Sequence, residues 1–304
     1  MTHPHYLVFG EALTDFILQD DGRWQDYPGG SCWNVARVAA RLGARAAFAG
    51  AVSQNRFGDA LWQGAQAAGL DMRYTQQLPY PPLLAMVPST RPPQYFFIGD
   101  NSADLHFDPA HLPAAWEQSV RIAHFGCISL AREPLASRLV QLARQLAAQG
   151  CRIAFDPNFR NSMHTPGYRT HFKAMLCLAD YIKVADDDLF GLYPELDKHA
   201  ALATLHQQAP QACILFTRGA DGMTLFANGK QYQQAAMQVT VADTVGCGDT
   251  AMGSWMTHLL HQPEATPQDL LRFVAAAAAC TARQHGAHAP TREEVAQLLA
   301  EHSG

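Results

Sequence analysis

The stretch that decides the fold runs from Ile122-Ala123-His124-Phe125 through Ser137-Arg138-Leu139-Val140-Gln141-Leu142-Ala143-Arg144-Gln145-Leu146-Ala147-Ala148-Gln149-Gly150 to Arg152-Ile153-Ala154-Phe155. Its two ends are short apolar runs of strand length. Between them Leu139, Leu142, Ala143 and Leu146 recur at helical spacing, and Gly150 closes the pattern, so a helix is expected over Ala136–Ala148. A strand, a helix and a second strand in that order imply a right-handed crossover between parallel neighbours. The same plan extends outward in both directions. Further strands are expected at Tyr6–Phe9, Ala46–Ala51, Tyr181–Val184 and Cys213–Thr217, with helices at Ser31–Leu42, Asp59–Ala68 and Tyr168–Leu178. In Ser31–Leu42 the residues Val35, Val38, Ala39 and Leu42 share a face, Ser31 can cap the start and Gly43 the end. The last third reads as helical over Gly248–Leu260, Pro267–Gln284 and Thr291–Glu301. The fold class is therefore α/β, with a mostly parallel sheet covered on both faces.

Two segments break the rhythm. Ala12–Gln25 follows the first strand with mixed residues, and Leu83–Phe107 carries Pro88, Pro92 and Pro93 before an aromatic run, Tyr95-Phe96-Phe97-Ile98. Both read as extra strands outside the main sheet, a flap of approximately residues 12–25 and 83–107 on a single domain spanning 1–304. A dimer through paired flap strands is one expectation. With 304 residues, 48% apolar and 16% charged, the chain can bury a large core. The net charge of −5 without a basic stripe argues against a nucleic-acid partner and gives no electrostatic reason for a membrane one. Seven scattered cysteines form neither a disulfide framework nor a zinc site and fit a reducing compartment. The N-terminus lacks a signal-peptide pattern and the longest apolar run, Phe273 to Cys280, is too short to span a bilayer; a cytoplasmic location is expected.

The sharpest chemical signal is Asp243-Thr244-Val245-Gly246-Cys247-Gly248-Asp249-Thr250. Two glycines open a helix, so its free N–H groups and dipole make an anion hole. Asp249 follows at once, where a carboxylate would repel phosphate unless it serves the reaction by taking a proton from an attacking hydroxyl. An Asp in the first turn of a helix is also favoured by the dipole alone. The second signal, Gly29-Gly30-Ser31-Cys32-Trp33-Asn34, again brings backbone and an amide close to something polar. Asn34, with Asp15 just past the first strand, suits a polyol whose adjacent hydroxyls each need partners. A tight turn with capping residues accounts equally well for each taken alone.

Together these motifs resemble the ribokinase-like, or phosphofructokinase-B, carbohydrate kinase family, and its fructokinase branch in particular. Gly10-Glu11-Ala12-Leu13-Thr14-Asp15 is similar to the family's first strand and sugar-binding Asp. The diglycine through Gly43 resembles one signature and Asp243 to Asp249 the other. Tyr95 to Asp104 resembles the lid strand of fructokinases, and Asp156-Pro157-Asn158-Phe159-Arg160 their D-P-N-x-R segment. The resemblance implies a three-layer α/β/α fold with a small β lid. It implies ATP and Mg²⁺ as cofactors, with K⁺ as an activating monovalent cation. Asp249 would be the base, with Gly246, Cys247 and Gly248 as the anion hole. Asp15, Gly29, Gly30, Asn34, Phe97, Asp104 and Arg160 would hold the sugar. Lys183, Thr217, Gly219, Gly222, Ala279 and Gly286 would lie on the nucleotide side. Asp188 would serve the magnesium, and Asp243, Val245 and Ala287 the monovalent cation.

The sequence departs from the family pattern in three places. Ala185-Asp186-Asp187-Asp188 stands where many members have Asn-x-x-Glu, Ser53-Gln54-Asn55 where G-x-D is usual, and Ile98-Gly99 where several branches carry a lid arginine. A sugar kinase of fructokinase type leads; a sugar-acid (ketogluconate-type) or nucleoside kinase and a non-catalytic sensor are the alternatives. Arg160 would suit the carboxylate of a sugar acid. Cys247 is expected as a small side chain tolerated between glycines, although an anion hole could lower its thiol pKa.

Overall fold

The computed structural model describes residues 3–90 and 93–302. The first half passes through β1 (Tyr6–Phe9), β2 (Leu13–Leu18), β3 (Trp24–Gly29), α1 (Ser31–Arg41), β4 (Ala46–Ser53), α2 (Arg56–Ala67), β5 (Thr75–Leu78), β6 (Leu84–Thr90) and β7 (Pro93–Ile98). There follow β8 (Ile122–Gly126), α3 (Leu135–Ala148), β9 (Arg152–Asp156), α4 (Pro166–Leu178), β10 (Tyr181–Ala185), α5 (Asp186–Leu192), α6 (Lys198–Gln208) and β11 (Cys213–Thr217). β12 (Met223–Ala227), β13 (Lys230–Gln234), α7 (Cys247–His261), α8 (Pro267–Ala282) and α9 (Arg292–Glu301) complete it.

A nine-stranded sheet has the order β13-β12-β11-β10-β9-β8-β1-β4-β5. From β11 to β5 every neighbouring pair is parallel; β12 and β13 add an antiparallel edge. Alternate residues of β1 enter two different cores: Leu7 and Phe9 pack on the α3 side, Tyr6 and Val8 on the side of α1 and α7. Burial on both faces is why these strands read as unbroken apolar runs.

A second, four-stranded sheet has the order β3-β2-β6-β7, with β2 and β6 parallel and the outer pairs antiparallel. The register puts Asp15, Tyr27, Ala85 and Phe97 on one face. The other face carries Leu18, Trp24, Phe96 and Ile98, all exposed. The flap expected from the sequence is this sheet, with shifted limits. Its first arm reaches Gly29, because β3 pairs with β2 along its whole length. Its second arm stops at Ile98: residues 103–106 turn into a 3₁₀ segment, and Phe107 sinks into the main core. Pro92 lies outside the described residues.

Ser31 is not the cap of α1. Gly30 is the N-cap, at φ +105°, with no side-chain capping bond, and the Ser31 hydroxyl is used elsewhere. Nor does α7 begin at Gly248: it starts one residue earlier, at Cys247, with Gly246 as N-cap in the left-handed region at φ +80°.

Candidate active site

Ligand sites of open α/β sheets form at the carboxyl ends of the strands. Here the segment after β1, the end of β9 and the first turns of α1 and α7 meet at one place, joined by the bonds of Glu11 to Cys32, Ser31 and Asn34 to Asp249, and Lys183 to Asp156. At its centre is Asp249, buried in the first turn of α7. One carboxylate oxygen accepts from Ser31 Oγ at 2.7 Å and the other from Asn34 Nδ2 at 2.9 Å. Burial raises the Asp249 pKa; these two hydrogen bonds and the charges of Lys183 and Arg160 pull it back. A carboxylate so placed is held in one orientation yet ready to accept a proton.

The head of α7 is shaped for close approach. A Cβ on Gly246 would meet Ala287 Cα at 2.8 Å, and one on Gly248 would meet Lys183 Nζ at 3.0 Å. Helix geometry leaves the first-turn amides without intrahelical acceptors. Of the three anion-hole amides expected, that of Cys247 is directed elsewhere: it donates to Thr244 O at 3.2 Å, inside the turn that precedes the helix. The Cys247 thiol is not activated, since burial pushes it up to about 12.

Lys183 lies beneath this turn, on β10, fully enclosed and 3.2 Å from Asp156 Oδ2 on β9. Burial works against its charge, but Asp156, Asp188 and Asp249 outweigh it and hold the ammonium protonated. Burial raises Asp156 in turn, and the lysine opposes that. Asp188 caps α5. Its Oδ2 accepts from Ala185 N at 2.8 Å and its Oδ1 from Phe159 N at 2.7 Å, which ties β10 to the segment bearing Arg160. It is buried rather than part of an exposed acidic helix start. Among the described residues no cluster of three or more His, Cys, Asp or Glu forms a metal cage.

On the opposite wall Asp15 projects from β2. Burial raises it to about 7, Arg160 lowers it, and Asp249 and Glu11 raise it further. Arg160 lies over the Tyr95 ring at 5.1 Å, with Nη1 donating to Phe159 O at 2.8 Å and Asn158 O at 3.1 Å. Phe97 stacks beside Tyr95 on the same face of the small sheet. Gly30 lets α1 start against β2: a Cβ there would stand 3.0 Å from Ala12 Cα.

One expected sugar contact is put to another use. Asp104 has no exposed side-chain surface and pairs with Arg132 at 3.0 Å, while Arg132 also donates to Gly99 O at 2.6 Å. Because β7 ends at Ile98, Asp104 pins the base of the small sheet through Arg132 instead of facing the site.

The residues expected on the nucleotide side border the far end of the sheet. Thr217 ends β11, and Gly219 (φ +52°) and Gly222 (φ +79°) shape the turn into β12. Ala279 lies on α8, which packs on β12 and β13. Asp243 staples two loops, its Oδ1 accepting from Val245 N at 3.1 Å and its Oδ2 from Gly286 N at 2.9 Å.

Three participants escaped the sequence reading. Ser31, at a capping position in the sequence, instead donates to Asp249. Glu11, wholly buried, accepts from Ser129 Oγ and from Cys32 N at 3.4 Å, and a charge in that motif right after a strand was its signal. Asp156, the counter-ion of Lys183, sits in the quoted D-P-N-x-R segment without a separate role.

The carbohydrate kinase model of the pfkB family matches residues 4–294. The chain is 26% identical over 299 residues to the fructokinase of Escherichia coli, covering 95% of this chain and 97% of that one. It is 30% identical over 253 residues to the fructokinase of Rhizobium leguminosarum bv. trifolii, covering 80% and 76%. The ATP-bound fructokinase of Xylella fastidiosa superposes with a TM-score of 0.88 at 27% identity over 98% of this chain and 99% of that one. The chain belongs to the pfkB family of carbohydrate kinases, and is an ATP-dependent, fructokinase-like sugar kinase.

Proposed function

We propose that the enzyme transfers the γ-phosphoryl group of ATP to a hydroxyl of fructose or a closely related ketose, with Asp249 as the base. The carrying observation is the position of Asp249, between the Ser31 and Asn34 donors and the head of α7, in a cleft shared with Asp15 and Arg160. The acceptor hydroxyl gives its proton to Asp249 as its oxygen bonds to the γ-phosphorus. The bond from that phosphorus to the β–γ bridging oxygen breaks, and ADP leaves with the electron pair. The Gly246 and Gly248 amides, with the Lys183 charge beneath them, stabilise the transferring group.

Asp15, Asn34 and Arg160 would hold the sugar, with Gly29 and Gly30 bringing the backbone close and Phe97 lining the lid side. The Thr217–Gly222 turn, Ala279 and Gly286 would border the nucleotide. A magnesium ion bound with ATP would neutralise phosphate charge. Asp188 has both carboxylate oxygens engaged by the Phe159 and Ala185 amides, so it would act on such an ion through the ion's water shell rather than as a direct ligand.

Glu11, Asp15 and Asp249 make the acceptor side acidic, and Arg160 already spends Nη1 on backbone carbonyls; this favours a neutral sugar over a sugar acid. An ADP-release assay over ketoses, aldoses, sugar acids and nucleosides tests the reading. Turnover greatest on a ketose is the expected result. A preference for a ketogluconate or a nucleoside would replace fructose, and ATP binding without turnover on any acceptor would point to a sensor. The exposed apolar face of the small sheet supports a homodimer through that face, testable by sedimentation. No helix among the described residues is long and apolar enough to cross a membrane; a cytoplasmic site of action fits the scattered free cysteines.

A further inference from the structure

The family resemblance expects a monovalent cation at Asp243 and the loop carbonyls around Val245 and Ala287, and the Ala287 side of that set does not suit one. Each carbonyl of residues 286–289 accepts one hydrogen bond from the protein and keeps a second lone pair. It is the charge placed beside Ala287, not occupancy, that disfavours a cation. Gly286 O takes His288 N at 2.8 Å, and His288 O takes Thr281 Oγ1 at 3.0 Å. Ala287 O takes Arg37 Nη1 at 3.4 Å, and Ala289 O takes Arg41 Nε at 3.2 Å. Both oxygens of Asp243 are likewise engaged by backbone amides. A second unit charge brought beside a largely buried guanidinium would be repelled strongly.

Arg37 is unusual in its surroundings. Its contacts are a carbonyl, the Asn34 amide oxygen at 3.5 Å and the face of Trp33 at 4.3 Å, rather than a carboxylate. Its Nε is buried without a partner. Burial and the neighbouring Arg41 lower it to about 10, which still leaves it charged at neutral pH. The carbonyl it holds belongs to Ala287, whose Cα is the atom against which Gly246 packs. The amide oxygen it approaches belongs to Asn34, whose nitrogen donates to Asp249.

We propose that Arg37 is a built-in substitute for the monovalent cation. Its fixed charge reaches the head of α7 through the Ala287–Gly246 contact and fixes the orientation of the Asn34 amide, so phosphoryl transfer needs no K⁺. The inference rests on the sugar-kinase reading for its catalytic consequence, but not for its structural one. Arg37 is accordingly a positioning residue.

The test compares melting temperature and turnover in KCl, NaCl and tetramethylammonium chloride at equal ionic strength. Wild type is expected to melt at one temperature and turn over at one rate in all three. Arg37→Met should lose at least about tenfold in turnover in tetramethylammonium, as expected when donors to a developing charge are loosened. KCl should then raise both its turnover and its melting temperature. Arg37→Lys, which keeps the charge, should stay indifferent to K⁺. A K⁺-specific rise in the melting temperature or turnover of the wild type overturns the proposal, and so does a folded Arg37→Met variant that matches wild type in tetramethylammonium. If no sugar is turned over, the melting arm still decides this proposal while the sugar-kinase reading fails separately.

Discussion

Gly29 stands directly behind the carboxylate of Asp15: a methyl group on Gly29 would run into Asp15 Oδ2. The two residues are diagonal cross-strand neighbours offset by two positions, Asp15 facing Tyr27 and Leu13 facing Gly29 in the β2–β3 ladder. The missing side chain of one thus makes room for the acid of the other. Gly29→Ala should force Asp15 off its position at an overpacking cost of about 1–3 kcal/mol. The expected outcome is a rise in sugar KM of about tenfold, with the ATP KM unchanged. An unchanged sugar KM would remove Asp15 from the acceptor pocket.

Asp249→Asn keeps an acceptor for Ser31 and the volume of the side chain, but cannot take a proton. Turnover should fall at least about 10²-fold with sugar and ATP binding retained, as read by single-turnover kinetics and calorimetry. Near-normal turnover would end the assignment of the base.

Both acids of the cleft are raised, so the acid limb of the rate profile should lie above the ordinary carboxylate range. In the proposed roles Asp249 has to be ionised to act as base, and Asp15, raised to about 7, accepts more strongly from a sugar hydroxyl once ionised. The plot of kcat/KM against pH should therefore still be rising between pH 6 and about 7. Stability has the opposite trend. The folded chain keeps the Asp15 proton up to about 7, whereas the unfolded chain releases it near 3.8. That contribution is complete below 3.8 and is lost as pH rises through 7. Denaturant midpoints measured at pH 5 and pH 8 should show a smaller drop for Asp15→Asn than for wild type.

Asp104 and Asp188 separate a structural acid from one that positions the site. Asp104→Ala leaves the Arg132 guanidinium without its ion-pair partner and should cost about 3–5 kcal/mol of stability, with sugar KM unchanged in the folded fraction.

Asp188→Ala releases the Phe159 and Ala185 amides at once, each costing roughly 1–3 kcal/mol if left buried and unpaired. Because the Phe159 amide anchors the turn that carries Arg160, sugar KM should rise in this variant, which steady-state kinetics would show.

How much of this was legible beforehand depended on how each residue is buried. The inner strands announced themselves because both faces are covered: Tyr6–Phe9 and Cys213–Thr217 have the limits read from the sequence. β5, Thr-Gln-Gln-Leu, is an edge strand with three half-buried residues and carried no apolar run. α6 buries only Ala201 and Leu205, so no stripe marked it. The β12–β13 hairpin did have a signal, Asn228-Gly229 with both φ values positive, a turn suited to tight hairpins. In the site, the glycines and acids stood out because their chemistry is local. The Asp104–Arg132 pair, the Ser31–Asp249 bond and the reach of Arg37 to Ala287 did not, since each joins segments that only the folded chain brings together.

Ser31 and Asp249 touch across 218 positions of sequence. During synthesis the Ser31 segment emerges long before the Asp249 segment, so a chain made only as far as the first of them lacks the proposed base and should be inert. A cut made between them would leave two pieces, neither able to transfer phosphate, whose reunion could be followed by the return of turnover alone.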